Sequence, residues 1–261
     1  MLTRFIGITG LKKSGKTTTI ETIVPKLAEK GLRVGTIKVA FKDVSIDVNQ
    51  EHYDVIRHRN SKPKITMFKS NKETVVFYND EMNLRDSLKI LGKNLDIVLI
   101  EGFKENLKGL PQITLLKEEG QEKEFTSDYT VAISSIPELS IKSRHKLFVD
   151  FDNLADVAEK TALPLFPELN CKHCGYDTCD LLMKEVIAGK KAVEDCYILG
   201  YENSEVQLKV NDNVIPCNVF VQDIFKNVIT GVLTTLKLEE MELTNVEINI
   251  SYKSKKEKKN E

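Results

Sequence analysis

The stretch GLKKSGKT, which runs from Gly10 to Thr17, constrains the fold of this chain more than any other part of the sequence. It fits the pattern G-x-x-x-x-G-K-[ST] of a phosphate-binding loop, with a β-rich run, FIGIT, before it and a stretch of helical spacing after it. Glycines let such a loop curl until successive N–H groups point at phosphate oxygens, and the following helix adds its positive end. The pattern therefore predicts a nucleotide site between a strand and a helix, rather than a surface turn that matches by chance.

The loop also supplies most of the predicted ligands. Lys16 is expected to reach the β- and γ-phosphates, and Thr17 to offer its hydroxyl to Mg²⁺. The predicted nucleotide-binding residues are Gly10, Lys12, Lys13, Ser14, Gly15, Lys16, Thr17 and Thr18.

A second acidic group is needed near the magnesium, and the run DIVLIEG supplies one. Residues 97–100 are apolar and predict a buried strand, and Glu101 follows at its carboxyl end, where α/β sheets bind ligands. We predict that Glu101 and Thr17 hold magnesium and that Lys16 and Glu101 are the catalytic residues, with Glu101 also able to orient a water. An ordinary strand-end carboxylate is the alternative for Glu101.

The wider pattern predicts an α/β fold of the P-loop NTPase type. Up to about Pro164, short β-branched runs alternate with helical stretches, which indicates a mainly parallel sheet covered by helices. KLFVDFD and NVEINISY are among the predicted strands. The predicted domains are a nucleotide-binding domain (1–165), a four-cysteine segment (166–200), a small α+β unit of ββαβ type (201–252) and a solvated basic tail (253–261).

Charge and composition narrow the function. The chain has 38 Lys and Arg against 39 Asp and Glu, so its net charge of −1 offers no basic surface for nucleic acid. No apolar run approaches the roughly 20 residues of a membrane span, and the N-terminus lacks the features of a signal peptide. We therefore expect a cytoplasmic protein that binds neither nucleic acid nor membrane, and in that compartment clustered cysteines indicate metal or redox chemistry.

Four cysteines form a compact group with the spacing C-x₂-C-x₄-C-x₁₆-C. We predict that they bind a [4Fe–4S] cluster, one thiolate per iron, with Zn²⁺, or thiols that are reduced or paired as disulfides, as alternatives. The predicted ligands are Cys171, Cys174, Cys179 and Cys196. Thr178 is expected to cap the next helix, and His173 to lie outside the ligand set. The spacing resembles the four-cysteine iron–sulfur domain of corrinoid iron–sulfur proteins and of an Rnf-complex subunit. Cys217 is expected to pack as a small apolar residue.

The first 165 or so residues resemble the molybdopterin-guanine dinucleotide biosynthesis protein B family. The matching pieces are GLKKSGKTT, KGLRVGTIK, the ID of 46–47, DVIRHR, DIVLIEGFK and LPQI. The resemblance implies a dimeric, weak GTPase with a P-loop fold that assists the nucleotidyltransferase joining molybdopterin to GMP. It also implies that Lys38, Asp47 and Arg57 lie around the phosphate site or the dimer interface.

The chain departs from the family pattern in its second strand region, where KVAFKDVSID contains no histidine. It also contains no N-K-x-D motif, so the choice of GTP depends on the resemblance alone. Together with the phosphate loop and the four cysteines, the resemblance implies a GTP-binding accessory protein of molybdenum or tungsten cofactor biosynthesis that carries an iron–sulfur cluster. Its expected partners are a molybdopterin nucleotidyltransferase, or a molybdenum or tungsten enzyme, and a second copy of itself. Two alternatives stay open, a metallocofactor-insertion ATPase and a nucleotide-gated electron-transfer protein.

Overall fold

The computed structural model divides into two compact units, residues 1–200 and residues 201–261. The structure describes residues 2–40, 53–78, 81–102, 107, 109–201, 206–210, 213–215, 219–236 and 245–250. No helix in this described part is both long and apolar enough to span a membrane.

A five-stranded parallel sheet forms the centre of the first unit. Its strands are β1 (Arg4–Gly10), β2 (Val34–Lys38), β5 (Ile97–Glu101), β6 (Gln112–Leu115) and β7 (Thr130–Ser134). They lie in the order β2-β5-β1-β6-β7, so β1 is central and β5 lies beside it. The four residues of β5 before Glu101 are fully buried, as expected for an apolar strand covered on both faces.

Helices cover both faces of this sheet. The helices α1 (Lys16–Glu29) and α5 (Leu154–Thr161) bury Ile23, Leu27 and Leu154 against one face. The helix α3 (Leu84–Leu91) packs on the other face through Leu88. Two further elements, a hairpin of β3 (Ile65–Lys69) and β4 (Thr74–Tyr78) and the helix α2 (Tyr53–Asn60) beside it, lie outside the main sheet. A short helix, α4 (Glu122–Phe125), precedes β7.

The four-cysteine segment belongs to the first unit and contains two helices, α6 (Cys179–Ile187) and α7 (Tyr197–Tyr201). Its own small core includes Phe166, Leu182 and Met183. The predicted cap of α6 is confirmed, because the hydroxyl of Thr178 accepts a hydrogen bond from the backbone N–H of Leu181 at 3.2 Å.

The second unit contains a hairpin of β8 (Leu208–Val210) and β9 (Asn213–Ile215), followed by the helix α8 (Val219–Thr234). The predicted hairpin and helix are therefore confirmed. The predicted final strand is wrong for its described part, because residues 245–250 form no strand. Although NVEINISY alternates apolar and polar residues, alternation makes a strand only where a partner strand accepts its hydrogen bonds.

The predicted strand KLFVDFD is also wrong. Phe148 makes one isolated bridge to Ile133, and a 3₁₀ helix begins at Phe151 and leads into α5. Residues 146–152 thus pass beside the carboxyl end of β7 without extending the sheet.

Candidate functional site

The phosphate loop lies at the carboxyl end of β1, as predicted. Gly10, Lys13 and Gly15 all have positive φ values, of 145°, 66° and 90°. A Cβ atom on Gly10 would lie 2.6 Å from the backbone oxygen of Leu115, and one on Gly15 would lie 2.2 Å from the side chain of Ile136. Both glycines are therefore required by packing as well as by backbone conformation.

Lys16 begins α1 and lies back across the loop. Its ammonium donates hydrogen bonds to the carbonyl oxygens of Gly10 at 3.0 Å and Leu11 at 2.8 Å. Partial burial lowers the pKa of Lys16, while the charge of Glu101 opposes that shift and the charge of Lys38 adds to it. The loop therefore carries a cation held at its mouth, where phosphate oxygens would lie.

Glu101 connects three elements of the site. Its Oε2 accepts a hydrogen bond from the hydroxyl of Thr17 at 3.1 Å, and its Oε1 pairs with the ammonium of Lys38 at 3.0 Å. The side chain of Glu101 is 12% exposed, whereas that of Lys38 is 69% exposed. A hydroxyl and a carboxylate so close together are hard oxygen ligands of the type that Mg²⁺ prefers.

The other loop residues differ in their surroundings. Lys12, Lys13 and Thr18 are exposed, so their side chains are open to a ligand or to solvent. Ser14 is fully buried, its backbone N–H donates to the carbonyl of Leu11 at 3.2 Å, and its hydroxyl has no hydrogen-bond partner in the described part of the chain. The structure thus brings together Lys16, Thr17 and Glu101 and adds Lys38 to them.

The cysteines form a second, separate group. Cys179 and Cys196 are 7% and 4% exposed, and the half-buried Cys174 packs against the same small core. Cys171 is exposed. Within the described residues, no three metal-ligand side chains form a ready-made metal site. Three of the four predicted ligands therefore lie in or against one small core, and Cys171 lies at the surface.

Two opposing effects act on the sulfur of Cys196. Burial raises the pKa of the Cys196 thiol, and the neighbouring thiols of Cys179 and Cys174 add to this effect. Backbone N–H groups of Leu199 and Ile198 act on the same sulfur and lower its pKa. N–H groups directed at a thiolate sulfur also stabilise iron–sulfur clusters, so the donor set fits such a group.

Local contacts hold the cysteine loop in shape. The side-chain oxygen of Asn170 accepts a hydrogen bond from the backbone N–H of Cys179 at 2.8 Å, which closes the loop at its base. Gly175, at a φ of 83°, donates its N–H to the carbonyl of Lys172 at 2.9 Å. The ring of His173 stacks on that of Tyr197 with 5.1 Å between centroids. This stacking joins the cysteine loop to the residue that follows Cys196.

The comparisons with known proteins agree with both groups of residues. A family model described as molybdopterin guanine dinucleotide synthesis protein B (MobB) matches residues 5–136. A "Putative molybdopterin-guanine dinucleotide biosynthesis adapter protein" of Methanocaldococcus jannaschii is 34% identical over 252 residues, which cover 95% of this chain and 98% of that protein. The chain belongs to the MobB family.

Further matches cover smaller parts of this MobB-family chain. A model described as "Putative Fe-S cluster" matches residues 166–198, which include all four clustered cysteines. The molybdopterin-guanine dinucleotide biosynthesis adapter protein of Haemophilus influenzae is 26% identical over 167 residues, covering 59% of this chain and 85% of that protein. The crystal structure of Bacillus subtilis MobB is similar with a TM-score of 0.48 and 22% identity, over 59% of this chain and 93% of that one.

Some residues named in the sequence predictions make no contact with the phosphate site or lie outside the described residues. Arg57 is exposed on α2, and among the described residues no hydrogen bond or ion pair links it to the phosphate loop. Asp47, Cys217 and the tail 253–261 lie outside the described residues.

Two contact residues were not predicted from the sequence. Ile136 packs against Gly15 of the phosphate loop, and Tyr197 stacks on His173 in the cysteine loop. The position of Tyr197 directly after Cys196 was the only signal that the sequence offered for it.

Proposed function

We propose that the chain is a cytoplasmic GTP-binding accessory protein, with weak GTPase activity, in the biosynthesis of the molybdenum or tungsten cofactor molybdopterin guanine dinucleotide. The observation that carries this proposal is the convergence of Lys16, Thr17 and Glu101 at the mouth of a complete phosphate loop. The names of the M. jannaschii and H. influenzae relatives support the pathway.

The proposed roles follow from charge and position. Lys16 neutralises β- and γ-phosphate oxygens, and Thr17 and Glu101 hold Mg²⁺ or its water shell. Phosphoryl transfer depends chiefly on positioned charge, so these three groups supply the means for slow hydrolysis. Because Lys38 pairs with Glu101, magnesium must share or replace that ion pair when it binds. We assign the joining of molybdopterin to GMP to a partner nucleotidyltransferase. A molybdenum or tungsten enzyme is the other proposed partner.

We further propose that Cys171, Cys174, Cys179 and Cys196 bind a [4Fe–4S] cluster rather than Zn²⁺. The match of residues 166–198 to an iron–sulfur model supports iron over zinc. So does the spacing, because zinc ribbons usually bring two C-x₂-C pairs together and this segment contains one. A bound cluster supplies one-electron chemistry and a covalent link between the cysteine loop and α7.

One alternative has an observation in its favour. Cys171 is exposed while the other three cysteines are at least half-buried, so one corner of a cluster would face solvent. An exposed corner suits transfer of the cluster to a client, as in a metallocofactor-insertion ATPase. Transfer of iron and sulfide to an apo-client after GTP addition would favour that alternative, whereas a cluster retained through several chelator washes would favour a structural role.

We also propose a homodimer formed through the hairpin of β3 and β4. Ile65, Met67, Val76 and Tyr78 are 48%, 63%, 38% and 42% exposed. The pairing of Ile65 with Tyr78 and of Met67 with Val76 places all four on one face of the hairpin. A two-stranded hairpin is marginal in isolation, so an apolar face of this kind suits contact with the same face of a second copy.

The experiment that tests the main proposal is a reconstituted assay. The protein is purified without oxygen and mixed with a molybdopterin nucleotidyltransferase, molybdopterin, molybdate and Mg-GTP. We expect dinucleotide formation to rise with the wild-type protein and slow release of phosphate from GTP to accompany it. The variant Lys16→Ala should support neither effect. Equal stimulation by wild type and by Lys16→Ala would contradict the proposal.

A further inference from the structure

A cavity of about 350 Å³ lies at the carboxyl end of β7, on the same edge of the sheet as the phosphate loop. It is within the usual range of small-molecule sites, about 300–1,000 Å³. Its apolar walls include Ile136, Ile141, Phe148 and Phe151, and its polar groups include Ser135 and Asp150. Ile136 joins the cavity to the loop, because the same side chain packs against Gly15.

The direction in which a nucleotide must lie follows from the charges at the loop. Glu101 and Lys38 are at the ends of β5 and β2, so the magnesium and the γ-phosphate belong on that side of β1. The nucleoside must therefore extend towards β6 and β7. The cavity is on that side.

We infer that this cavity receives the nucleobase and that the carboxylate of Asp150 selects guanine, which makes Asp150 the residue that decides between GTP and ATP. The inference rests on the proposed GTP-binding function. Flat apolar and aromatic side chains such as Phe148 and Phe151 suit contact with a purine ring.

The chemistry of Asp150 supports guanine over adenine. Its carboxylate has no hydrogen-bond or ion-pair partner among the described residues, whereas that of Asp152 pairs with Lys26 of α1 at 3.5 Å. An ionised carboxylate only accepts hydrogen bonds. Guanine presents two adjacent donors, N1–H and the exocyclic amine, and can satisfy both oxygens, whereas adenine places an acceptor nitrogen beside its amine. Asp150 is exposed in the free protein, so this discrimination acts once the bound base has excluded water from the carboxylate.

The test uses the full chain, purified without oxygen, and calorimetry with GTP, ATP, xanthosine triphosphate and inorganic tripolyphosphate. Wild type should prefer GTP to ATP by at least about tenfold, the value expected for charged hydrogen bonds. Asp150→Asn should lose at least about tenfold in GTP affinity and gain affinity for xanthosine triphosphate, whose second carbonyl pairs with an amide. Tripolyphosphate, which has no base, should bind both proteins equally.

Two further variants complete the test. Asp156→Asn, on α5 and paired with Lys30 outside the cavity, should leave the base preference unchanged. Ser140→Trp should fill the cavity and weaken all nucleotides while sparing tripolyphosphate. Equal binding of GTP and ATP by wild type, or an unchanged preference in Asp150→Asn, would overturn the inference and leave the phosphate site standing. Failure of wild type to bind tripolyphosphate or any nucleotide would overturn the proposed function and this inference together.

Discussion

The phosphate loop and the cysteine loop lie at opposite edges of one sheet, at the carboxyl and the amino ends of its strands. They differ in how closely their predicted ligand residues are grouped. At the carboxyl edge, Lys16, Thr17 and Glu101 already contact one another or the loop. At the other edge, three thiols gather and Cys171 stays at the surface. Backbone amides can be positioned by glycines and by strand–helix packing alone, whereas the geometry of a thiolate site depends on its metal as well as on the protein.

The two edges are far apart. The cysteine segment packs against Leu2, Tyr129 and Leu163. Leu163 bridges to Phe5 at the start of β1, and Tyr129 directly precedes β7. A strand of seven residues such as β1 spans about 20 Å. A nucleotide on the loop therefore cannot touch the cysteines, and any communication must pass through the sheet.

The largest expected effect comes from Lys16→Ala, which separates the two regions most sharply. Loss of the charged hydrogen bonds should weaken GTP binding on the order of 100-fold or more. Iron and acid-labile sulfide should stay at wild-type levels because the cysteines are at the other edge. Calorimetry measures the GTP affinity, and metal analysis of the same sample measures the iron content. A parallel loss of iron would show that the two sites are not independent.

Cysteine substitutions test the other edge. Cys179→Ser removes a buried ligand at the start of α6, so we expect less than half of the wild-type iron and loss of the brown colour. The matched variant Cys171→Ser changes an exposed ligand and should retain more iron, since water can reach that corner. Both should bind GTP as wild type does. Full iron content in Cys179→Ser would rule out the assignment of the cluster.

Glycine substitutions test whether packing holds the phosphate loop in its conformation before a nucleotide binds. Gly15→Ala should lower the free energy of unfolding by about 2–4 kcal/mol, because it combines left-handed strain with a clash against Ile136. Gly31→Ala has a similar φ, of 82°, but open space around it, so only about 1–2 kcal/mol of strain is expected. Urea denaturation compares the two, and equal losses would show that the loop is not tightly packed.

Tyr129→Phe tests how the cysteine segment is attached to the sheet. The Tyr129 hydroxyl donates a hydrogen bond to Asp180 of α6 at 2.7 Å, and Lys184 lies over the same ring at 5.0 Å. Loss of the hydroxyl and its hydrogen bond should lower the free energy of unfolding by about 1 kcal/mol and speed proteolysis within residues 166–200. GTP affinity should not change. Faster cleavage of the phosphate loop instead would show that the edges are not independent.

The smallest effect concerns pH and the ion pair between Arg33 and Asp96. Hydrogen bonds from Arg33 lower the pKa of Asp96 from 3.8 to about 2. Because the folded pKa is the lower one, this contribution to stability is present above pH 3.8 and is lost as pH falls towards 2. Asp96→Asn should therefore differ from wild type in thermal midpoint at pH 5 and converge with it near pH 2. A gap that widens with acid would contradict the assignment.

Much of the fold could be predicted because its signals are local. The glycine pattern fixed the loop, and the apolar run before Glu101 identified the strand that carries it. The ion pair between Lys38 and Glu101 and the contact of Ile136 with Gly15 could not be predicted from the sequence. Both depend on which strands are neighbours. KLFVDFD and NVEINISY failed for the same reason, since their apolar pattern does not say whether a partner strand is available.

The central claim is that the phosphate loop binds a magnesium nucleoside triphosphate independently of the cysteines. Its most direct test is calorimetric titration of the intact protein, prepared without oxygen, with Mg-GTP and then with GTP in the presence of a chelator. We predict saturable binding of about one GTP per chain that weakens without magnesium and is unaltered in Cys179→Ser. Absence of saturable binding of GTP and of ATP by the wild-type protein would contradict the claim.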